Sequence, residues 1–367
     1  MGPPGRPVWA ALSGGVDSAT AAAVLVRQGY RVEAVFMELW DCGLVERAGR
    51  LTCCSPQDMA DARRVAEYLG IPFRTVDLRK PFRERVIGEF VGSYVTGKTP
   101  NPCIRCNQWI KYGALLELAL EHGAQGLATG HYARVVPSAE GGPLRLLRGR
   151  DRSKDQSYFL FPLGQGQLKS VLWPVGGMSK AQVRGLAARW GLPVALKGES
   201  QEVCFLAGGN YREFLRDYLG GGQDCAGQIV DEQGRELGTH QGVFGFTVGQ
   251  RRGLGIPWKE PLYVLRVLPM ERQVVVGPRH RTLCRGLEAG KASWVKGQPP
   301  ERAFSCTAQI RYRHREALAS VEVLEASRFR VSFAEPQPSV TPGQAVVLYS
   351  QEEVLGGGWI EEALPSR

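Results

Sequence analysis

Short apolar runs alternate with longer amphipathic stretches through the first half of the chain. PVWAAL (7–12) and RVEAVFM (31–37) read as buried strands, and Ser18 to Gln28 between them as a helix rich in Ala, Val and Leu. Helical spacing returns at 56–69 and 82–95 around a strand at 72–77, then at 109–121 before a strand at 126–129. Strands separated by helices of this length predict a parallel sheet with right-handed crossovers. Ser179 to Trp190 reads as one more helix, capped by Ser179 and stopped by Gly191-Leu192-Pro193.

A short helix is expected at Tyr211–Leu219, and Gly220 to Gly222 then breaks the pattern. From about 224 the chain consists of short apolar runs between Gly and Pro, among them GQIV, LYVLRVL, QVVVG, FRVSF and QAVVLYS. That is an all-β pattern. The predicted division is 1–212, 213–280 and 281–367, with no internal repeat.

Composition narrows the class. With 367 residues, 43% apolar and 22% charged, the chain can bury a sizeable core and is not disordered. No apolar run approaches the ~18 residues of a membrane span. The N-terminal segment has too short an apolar stretch for a secretory signal, and Arg6 breaks the myristoylation pattern. A cytoplasmic protein is expected. The net charge of +10 favours an anionic partner such as a nucleic acid. Nine cysteines in a reducing compartment read as free, metal-bound or catalytic rather than as a disulfide framework.

The strongest local signal is Ser13-Gly14-Gly15-Val16-Asp17-Ser18, after a strand and opening a helix. Glycines let the backbone approach an anion, and the amides and hydroxyls at the helix start can hold phosphate oxygens. Asp17 in such a loop suits Mg²⁺ bridging to phosphate. The spacing is not that of a Walker A loop. The hexapeptide resembles the PP-loop of ATP pyrophosphatases, which implies cleavage between the α- and β-phosphates and transfer of AMP to a substrate oxygen.

Thr99-Pro-Asn-Pro-Cys-Ile-Arg-Cys-Asn107 is the second signal. Its prolines and asparagines predict a rigid loop, with Asn107 or the residues just before it capping the following helix, which places Cys106 near a helix N-terminus. There, with Arg105 and Lys111 close in sequence, the thiolate is favoured. A CxxC pair is redox-active, or half of a zinc or iron–sulfur site. Cys204, between Val203 and Phe205, reads by itself as a small buried hydrophobe. Cys42, Cys53 and Cys54 form a loose candidate zinc cluster, and Cys225, Cys284 and Cys306 read as structural.

SGGVDS, TPNPCIRCN, ATGHYAR (128–134), KDQSYFL (154–160), SQEVCF (200–205) and QIRYRH (309–314) occur in this order. Together they resemble the bacterial tRNA-specific 2-thiouridylases, over nearly the whole chain. The resemblance implies an α/β PP-loop domain with a parallel sheet, a small β-rich central domain and a C-terminal β-barrel. It implies ATP-dependent replacement of O2 by sulfur at the wobble uridine, position 34, of tRNAs for Lys, Glu and Gln. The implied nucleotide site is Ala11, Leu12, Ser13, Gly14, Gly15, Val16, Asp17 and Ser18 with Met37 and Gly130. Cys106 is the implied nucleophile, and Cys204 the carrier of a persulfide sulfur from a relay protein or cysteine desulfurase. Asn101, Pro102 and Cys103 are implied beside the target base; His131, Lys154, Asp155, Gln156, Arg311, Tyr312 and Gln344 are implied tRNA contacts. The expected enzyme is a monomer.

One departure matters. Many members of that family carry Asp where this chain has Cys103. Cys103, Cys106 and Cys204 are therefore also candidate ligands of a [4Fe–4S] cluster that would deliver the sulfur, beside the persulfide route. Residues 278–315 carry nine Lys and Arg against two Glu, a surface suited to phosphates. Two rival readings stand: another AMP-forming PP-loop chemistry, and a non-catalytic RNA-binding protein in which SGGVDS is only a turn.

Overall fold

In the computed structural model, residues 5, 7–40, 56–138, 141–198, 203–206, 210–220 and 226–366 are described. The candidate zinc cysteines Cys42, Cys53 and Cys54, and also Cys225, lie outside them.

The expected parallel sheet is present, with β1 (Val8–Ala11) between β2 (Val32–Glu38) and β4 (Gly126–Ala128). β3 (Phe73–Asp77) flanks β2. β7 (Val171–Leu172), a two-residue strand with no legible pattern, flanks β4. Helix α1 (Val16–Arg27) follows β1; Ala19, Ala21, Ala22 and Ala23 are fully buried, so small side chains let it lie close to its neighbours. Helix α2 (Pro56–Leu69) buries Asp61, Ala62, Val65 and Ala66. The helix expected at 82–95 runs as a continuous wound stretch from Arg79 to Val95, wider between Phe82 and Ile87.

The remainder of that first segment departs from expectation. β5 (Ala133–Val136) and β6 (Arg145–Arg148) form a hairpin, and β6 pairs with the far C-terminal strand β17 (Glu353–Pro365). The central sheet is β8 (Gly227–Val230), β9 (Glu236–His240), β10 (Leu262–Leu268) and β11 (Gln273–Pro278), in the order β10-β11-β8-β9. β12 (Leu283–Trp294), β13 (Ala303–Gln309), β14 (Ala317–Glu325), β15 (Arg328–Pro338), β16 (Ala345–Ser350) and β17 close into a barrel through the β12–β17 pairing.

The largest apolar core is shared between the first segment and the barrel. Trp9, Phe90, Ile104 and Tyr158 belong to the same buried cluster as Val295, Tyr349 and Trp359. The phosphate-loop half and the barrel are thus one packed body rather than modules on a linker, and the loop at 97–107 lies at their junction.

Candidate active site

The phosphate loop begins where β1 ends. Gly14 adopts φ +70, the left-handed region that favours glycine. A Cβ there would come within 2.6 Å of the Asp58 carbonyl oxygen, so the first turn of α2 forms one wall of the loop. The Ser18 hydroxyl donates to the Gly15 carbonyl at 3.0 Å, and the Ser13 amide donates to the Ser18 hydroxyl at 3.1 Å. This ties the loop into a compact turn with Ser13 exposed at its rim. Ala11 and Leu12 are buried beneath it, and Met37 is half-buried on β2.

Asp17 is held by two residues that sequence reasoning missed. Lys180 Nζ lies 2.7 and 2.8 Å from its two carboxylate oxygens, and the Tyr132 hydroxyl donates to Oδ1 at 2.8 Å. Tyr132 lies within the ATGHYAR motif, but nothing in the sequence singled it out. Lys180 follows the capping Ser179 and read only as the first residue of a helix, which it is (Lys180–Arg189).

The segment Thr129–Tyr132 joins this loop to the cysteine region. A Cβ at Gly130 would meet the Ser18 amide at 2.6 Å and the Asp17 carbonyl carbon at 2.7 Å, so only glycine fits against the start of α1. On either side of it, Thr129 and His131 hydrogen-bond at 2.7 Å, and both reach the Tyr112 hydroxyl at 2.8 Å. Trp173 Nε1 donates to the same hydroxyl at 2.7 Å. Burial and the nearby Lys111 push the His131 imidazole well below its ordinary range, so it is neutral. His131 is half-buried within this network.

The cysteine loop differs from expectation in two ways. Its helix starts at Pro102, and the Asn101 side chain caps it by accepting from the Ile104 amide at 3.4 Å. Asn107 lies inside the helical run and donates to the Phe159 carbonyl at 3.2 Å. The exposed Cys103, not Cys106, therefore occupies the first turn. Second, Cys106 is buried, and its thiol is pushed up by that burial with Lys111 opposing; the expected thiolate is not favoured in the resting chain. Arg105, expected beside the thiol, turns away. Its guanidinium stacks 3.7 Å from the Trp359 ring centre and 4.6 Å from that of Trp109, and donates to Glu89 at 3.2 Å.

Cys204 is half-buried at the edge of the main core. Its neighbour Phe205 anchors it, meeting Phe82, Phe90 and Phe214 at 5.8, 5.1 and 5.3 Å between ring centres. Among the described residues no three His, Cys, Asp or Glu side chains form a group that could hold a metal ion. Of the three candidate cluster ligands, Cys103 is exposed, Cys106 is buried and Cys204 is half-buried.

Several residues expected at the RNA, all half-buried, also make contacts within the protein. The Asp155 carboxylate accepts from Arg148 at 3.1 Å, from the Gly149 amide at 2.9 Å, and from the Ser157 amide and hydroxyl, both at 3.0 Å. Gln156 accepts from the Tyr132 amide at 3.1 Å, and its own amide donates to the Tyr132 carbonyl at 2.9 Å. Gln344 Nε2 donates to the carbonyls of Thr99 and Pro100 at 3.0 and 3.2 Å, so it grips the cysteine loop from the barrel. Arg311 donates to the carbonyls of Pro338 and Ser339 at 3.4 and 3.3 Å; Tyr312 packs on Phe159 at 4.4 Å. Lys154 is half-buried in the turn before Asp155. Of the basic segment, Arg281 is paired with Glu232 and Lys296 with Glu353, while Arg279, Arg285, Lys291, Arg302, Arg313 and Arg315 are exposed.

Comparison with known proteins agrees along the whole chain. Residues 6–208 match the tRNA methyl transferase HUP domain family, 212–278 its PRC-barrel domain and 284–360 the aminomethyltransferase beta-barrel domain. A tRNA-specific 2-thiouridylase MnmA of Geobacter metallireducens is 51% identical over 357 residues, covering 96% of each chain. That of Geotalea uraniireducens is 49% identical, covering 97% of this chain and 95% of its own, and that of Acidithiobacillus ferrooxidans is 45% identical, covering 96% and 97%.

Proposed function

Because the chain belongs to the tRNA-specific 2-thiouridylase family, we propose that it replaces O2 of the wobble uridine, position 34, by sulfur in tRNAs for Lys, Glu and Gln, consuming ATP. The observation that carries this reading is the bridge Thr129–Tyr132. Gly130 and Tyr132 touch the phosphate loop, while Thr129 and His131 meet Tyr112, six residues beyond Cys106 in the same helical run. One rigid segment thus links a site for ATP to a site for sulfur chemistry.

The loop Ser13–Ser18 holds the triphosphate through backbone amides and hydroxyls. Attack of the uridine O2 on the α-phosphorus releases pyrophosphate and leaves AMP on that oxygen, turning a poor leaving group into a good one. The terminal sulfur of a Cys204 persulfide attacks C2, and AMP departs. Cys106 then attacks the Cys204 sulfur of the resulting disulfide. This frees 2-thiouridine and leaves a Cys106–Cys204 disulfide, which an external dithiol reduces. Lys111, the cation acting on both Cys106 and His131, favours the Cys106 thiolate when that step is reached.

Asp17 with the nucleotide's phosphates suits Mg²⁺, an ion usually held by one or two carboxylates and phosphate oxygens; it would neutralise phosphate charge as pyrophosphate leaves. No step runs through an iron–sulfur cluster. The exposed arginines of 279–315 supply phosphate contacts to the anticodon arm, where a flipped uridine reaches the loop at Asn101–Cys103. A persulfide-carrying relay protein or desulfurase supplies the sulfur. The enzyme works as a monomer in the cytoplasm.

The test is incubation with unmodified tRNA, ATP and a persulfide donor, followed by nucleoside analysis and pyrophosphate measurement. The expected result is 2-thiouridine at position 34 with matching AMP and pyrophosphate, lost in Cys204→Ser while pyrophosphate release persists. Undiminished thiolation by that variant would overturn the sulfur route.

A further inference from the structure

We propose that the cleft between the helix Tyr211–Tyr218 and the central sheet is a nucleotide-binding site separate from the phosphate loop, holding a phosphate on Arg212 and Arg216 and a base against Phe246. An unpaired nucleotide of an RNA chain and a free mononucleotide share this chemistry, and experiment separates the two sources.

Local contacts fix the helix against the loop that follows β9. The Asn210 side chain caps it by accepting from the amides of Arg212 and Glu213 at 3.2 and 3.4 Å, and the Tyr211 hydroxyl donates to the Gly245 carbonyl at 3.1 Å. Gly245 lets Arg212 come close: a Cβ there would stand 3.4 Å from its Nε. The Arg212 guanidinium carbon lies 5.7 Å from the Phe246 ring centre, and the His240 ring lies 5.3 Å from that same centre. A cation, an aromatic ring and an imidazole thus converge on one cleft of about 590 Å³, within the roughly 300–1,000 Å³ of small-ligand sites. No residue of the phosphate loop or of the cysteine loop is among its described lining.

Charge and polarity select the ligand. Arg212, half-buried, and Arg216, exposed, line the cleft, and no Asp or Glu is among its described lining residues. The exposed Arg251 and Arg252 immediately precede Gly253 and Leu254, which also line it. Two guanidinium groups with no carboxylate between them suit an anion with several acceptor oxygens, as phosphate is. His240 is 6% exposed. Its Nε2 lies 3.2 Å from the Arg272 carbonyl oxygen, so that nitrogen carries the hydrogen and Nδ1 is left as an acceptor. Nδ1 is buried with no hydrogen-bond partner among the described residues. Burial holds the imidazole below its ordinary range, which keeps it neutral and preserves that lone pair. A ribose hydroxyl or a base amino group satisfies such an acceptor. Phe244, Phe246 and Leu254 supply the apolar contact on which a base packs. A bare phosphate would leave both Nδ1 and this apolar lining unused, whereas a nucleotide engages all of them.

The experiment compares the wild-type full chain with Arg212→Gln combined with Arg216→Gln. Unmodified tRNA bound to each is irradiated with ultraviolet light, which joins a base to a ring it stacks on, and the crosslinked peptide is mapped. Binding of AMP, GMP, CMP and UMP is measured in parallel by equilibrium dialysis. An RNA occupant gives a crosslink in the tryptic peptide 236–251, which holds His240, Phe244 and Phe246. In the double variant that crosslink is lost, the tRNA Kd rises by about fivefold or more, and the salt slope falls by about one to two. A free-nucleotide occupant gives no such crosslink, but saturable binding of at least one mononucleotide that the double variant loses. Weaker tRNA binding with neither result would leave only a basic surface and overturn the proposal. A crosslink in that peptide that survives unchanged in the double variant would overturn it too, as would mononucleotide binding that the double variant leaves wholly intact when no such crosslink forms. Arg216→Gln alone, at an exposed position, gives the same comparison should the double variant fail to fold. The site does not depend on the thiolation reading: a wild-type enzyme forming no 2-thiouridine would bring down that reading and leave the crosslink and dialysis results standing.

Discussion

Lys180 closes on Asp17 across 163 residues of sequence, with Nζ 2.7 Å from Oδ1 and 2.8 Å from Oδ2. The lysine side chain is 11% exposed and the aspartate 32%, so the pair is partly shielded from solvent. It sets where the one carboxylate of the phosphate loop points. Lys180→Met should lower tRNA-dependent pyrophosphate release by about 10²-fold, the scale of losing one preorganised charge at a phosphoryl site. Asp17→Ala should abolish it. In both variants tRNA affinity should be unchanged, because the basic barrel surface is untouched; a large loss of binding would contradict this division of labour.

Gly130 offers a steric test of the bridge. An Ala Cβ would sit 2.6 Å from the Ser18 amide and 2.7 Å from the Asp17 carbonyl carbon, and backbone at both contacts cannot step aside cheaply. Gly130→Ala should cost about 1–3 kcal/mol of stability, as overpacking does. It should also raise the ATP KM, with the persulfide step preserved at saturating ATP. A melting curve and an ATP titration check the two parts.

Local elements were legible where a single stretch of chain determines them. The apolar run 7–12 and the glycines after it specify strand, turn and helix start without help from elsewhere. Ser179 reads as a cap, and its side chain does accept from the Gln182 amide at 3.2 Å. The other features depend on partners remote in sequence, which no local pattern carries. β7 has two residues and exists because β4 offers it an edge. The β5–β6 hairpin lacked an alternation strong enough to announce itself, and its partner β17 lies more than 200 residues away. The state of Cys106 depends on remote partners in the same way. Arg105 is near it in sequence, yet Trp359 and Glu89 draw that guanidinium off, and burial then governs the thiol.

Gln344 donates to two carbonyls of the cysteine loop, so its loss should act on chemistry more than on tRNA affinity. For Gln344→Ala the single-turnover rate should fall about tenfold, while Kd for tRNA moves by less than about threefold. Loss of affinity with an intact rate would instead mark Gln344 as a direct RNA contact.

The pH dependence of stability follows from buried imidazoles. His314 is pushed down to about 4 by burial and by Arg311, and His131 is also well below its ordinary value. In the unfolded chain both return to about 6.5, so the unfolded state binds more protons as pH falls and stability declines from that point down through the folded value. Asp61, lowered to about 2 with Lys197, Arg64 and Gln57 opposing its burial, keeps its contribution until pH falls below the ordinary carboxylate range. Melting temperature should therefore begin to drop below about pH 6.5, with the carboxylate loss adding to it only as pH nears about 4. His314→Asn should flatten that first decline; an unchanged slope would exclude His314 as its source.

Cys103 and Cys106 are three residues apart but lie in opposite environments, one exposed in the first helical turn and one buried with its thiol pushed up. Alkylation depends on both access and thiolate fraction, and at Cys106 both are unfavourable. Iodoacetamide at neutral pH should therefore modify Cys103 well before Cys106, with peptide mapping giving the order. The half-buried Cys204 should fall between them. If Cys103 belongs only to the surface of the loop, Cys103→Ser should keep persulfide-driven thiolation within about threefold of wild type, in enzyme purified without iron. Loss of activity in Cys103→Ser comparable to that in Cys204→Ser would show that all three thiols act together, and would favour the cluster route over the persulfide route.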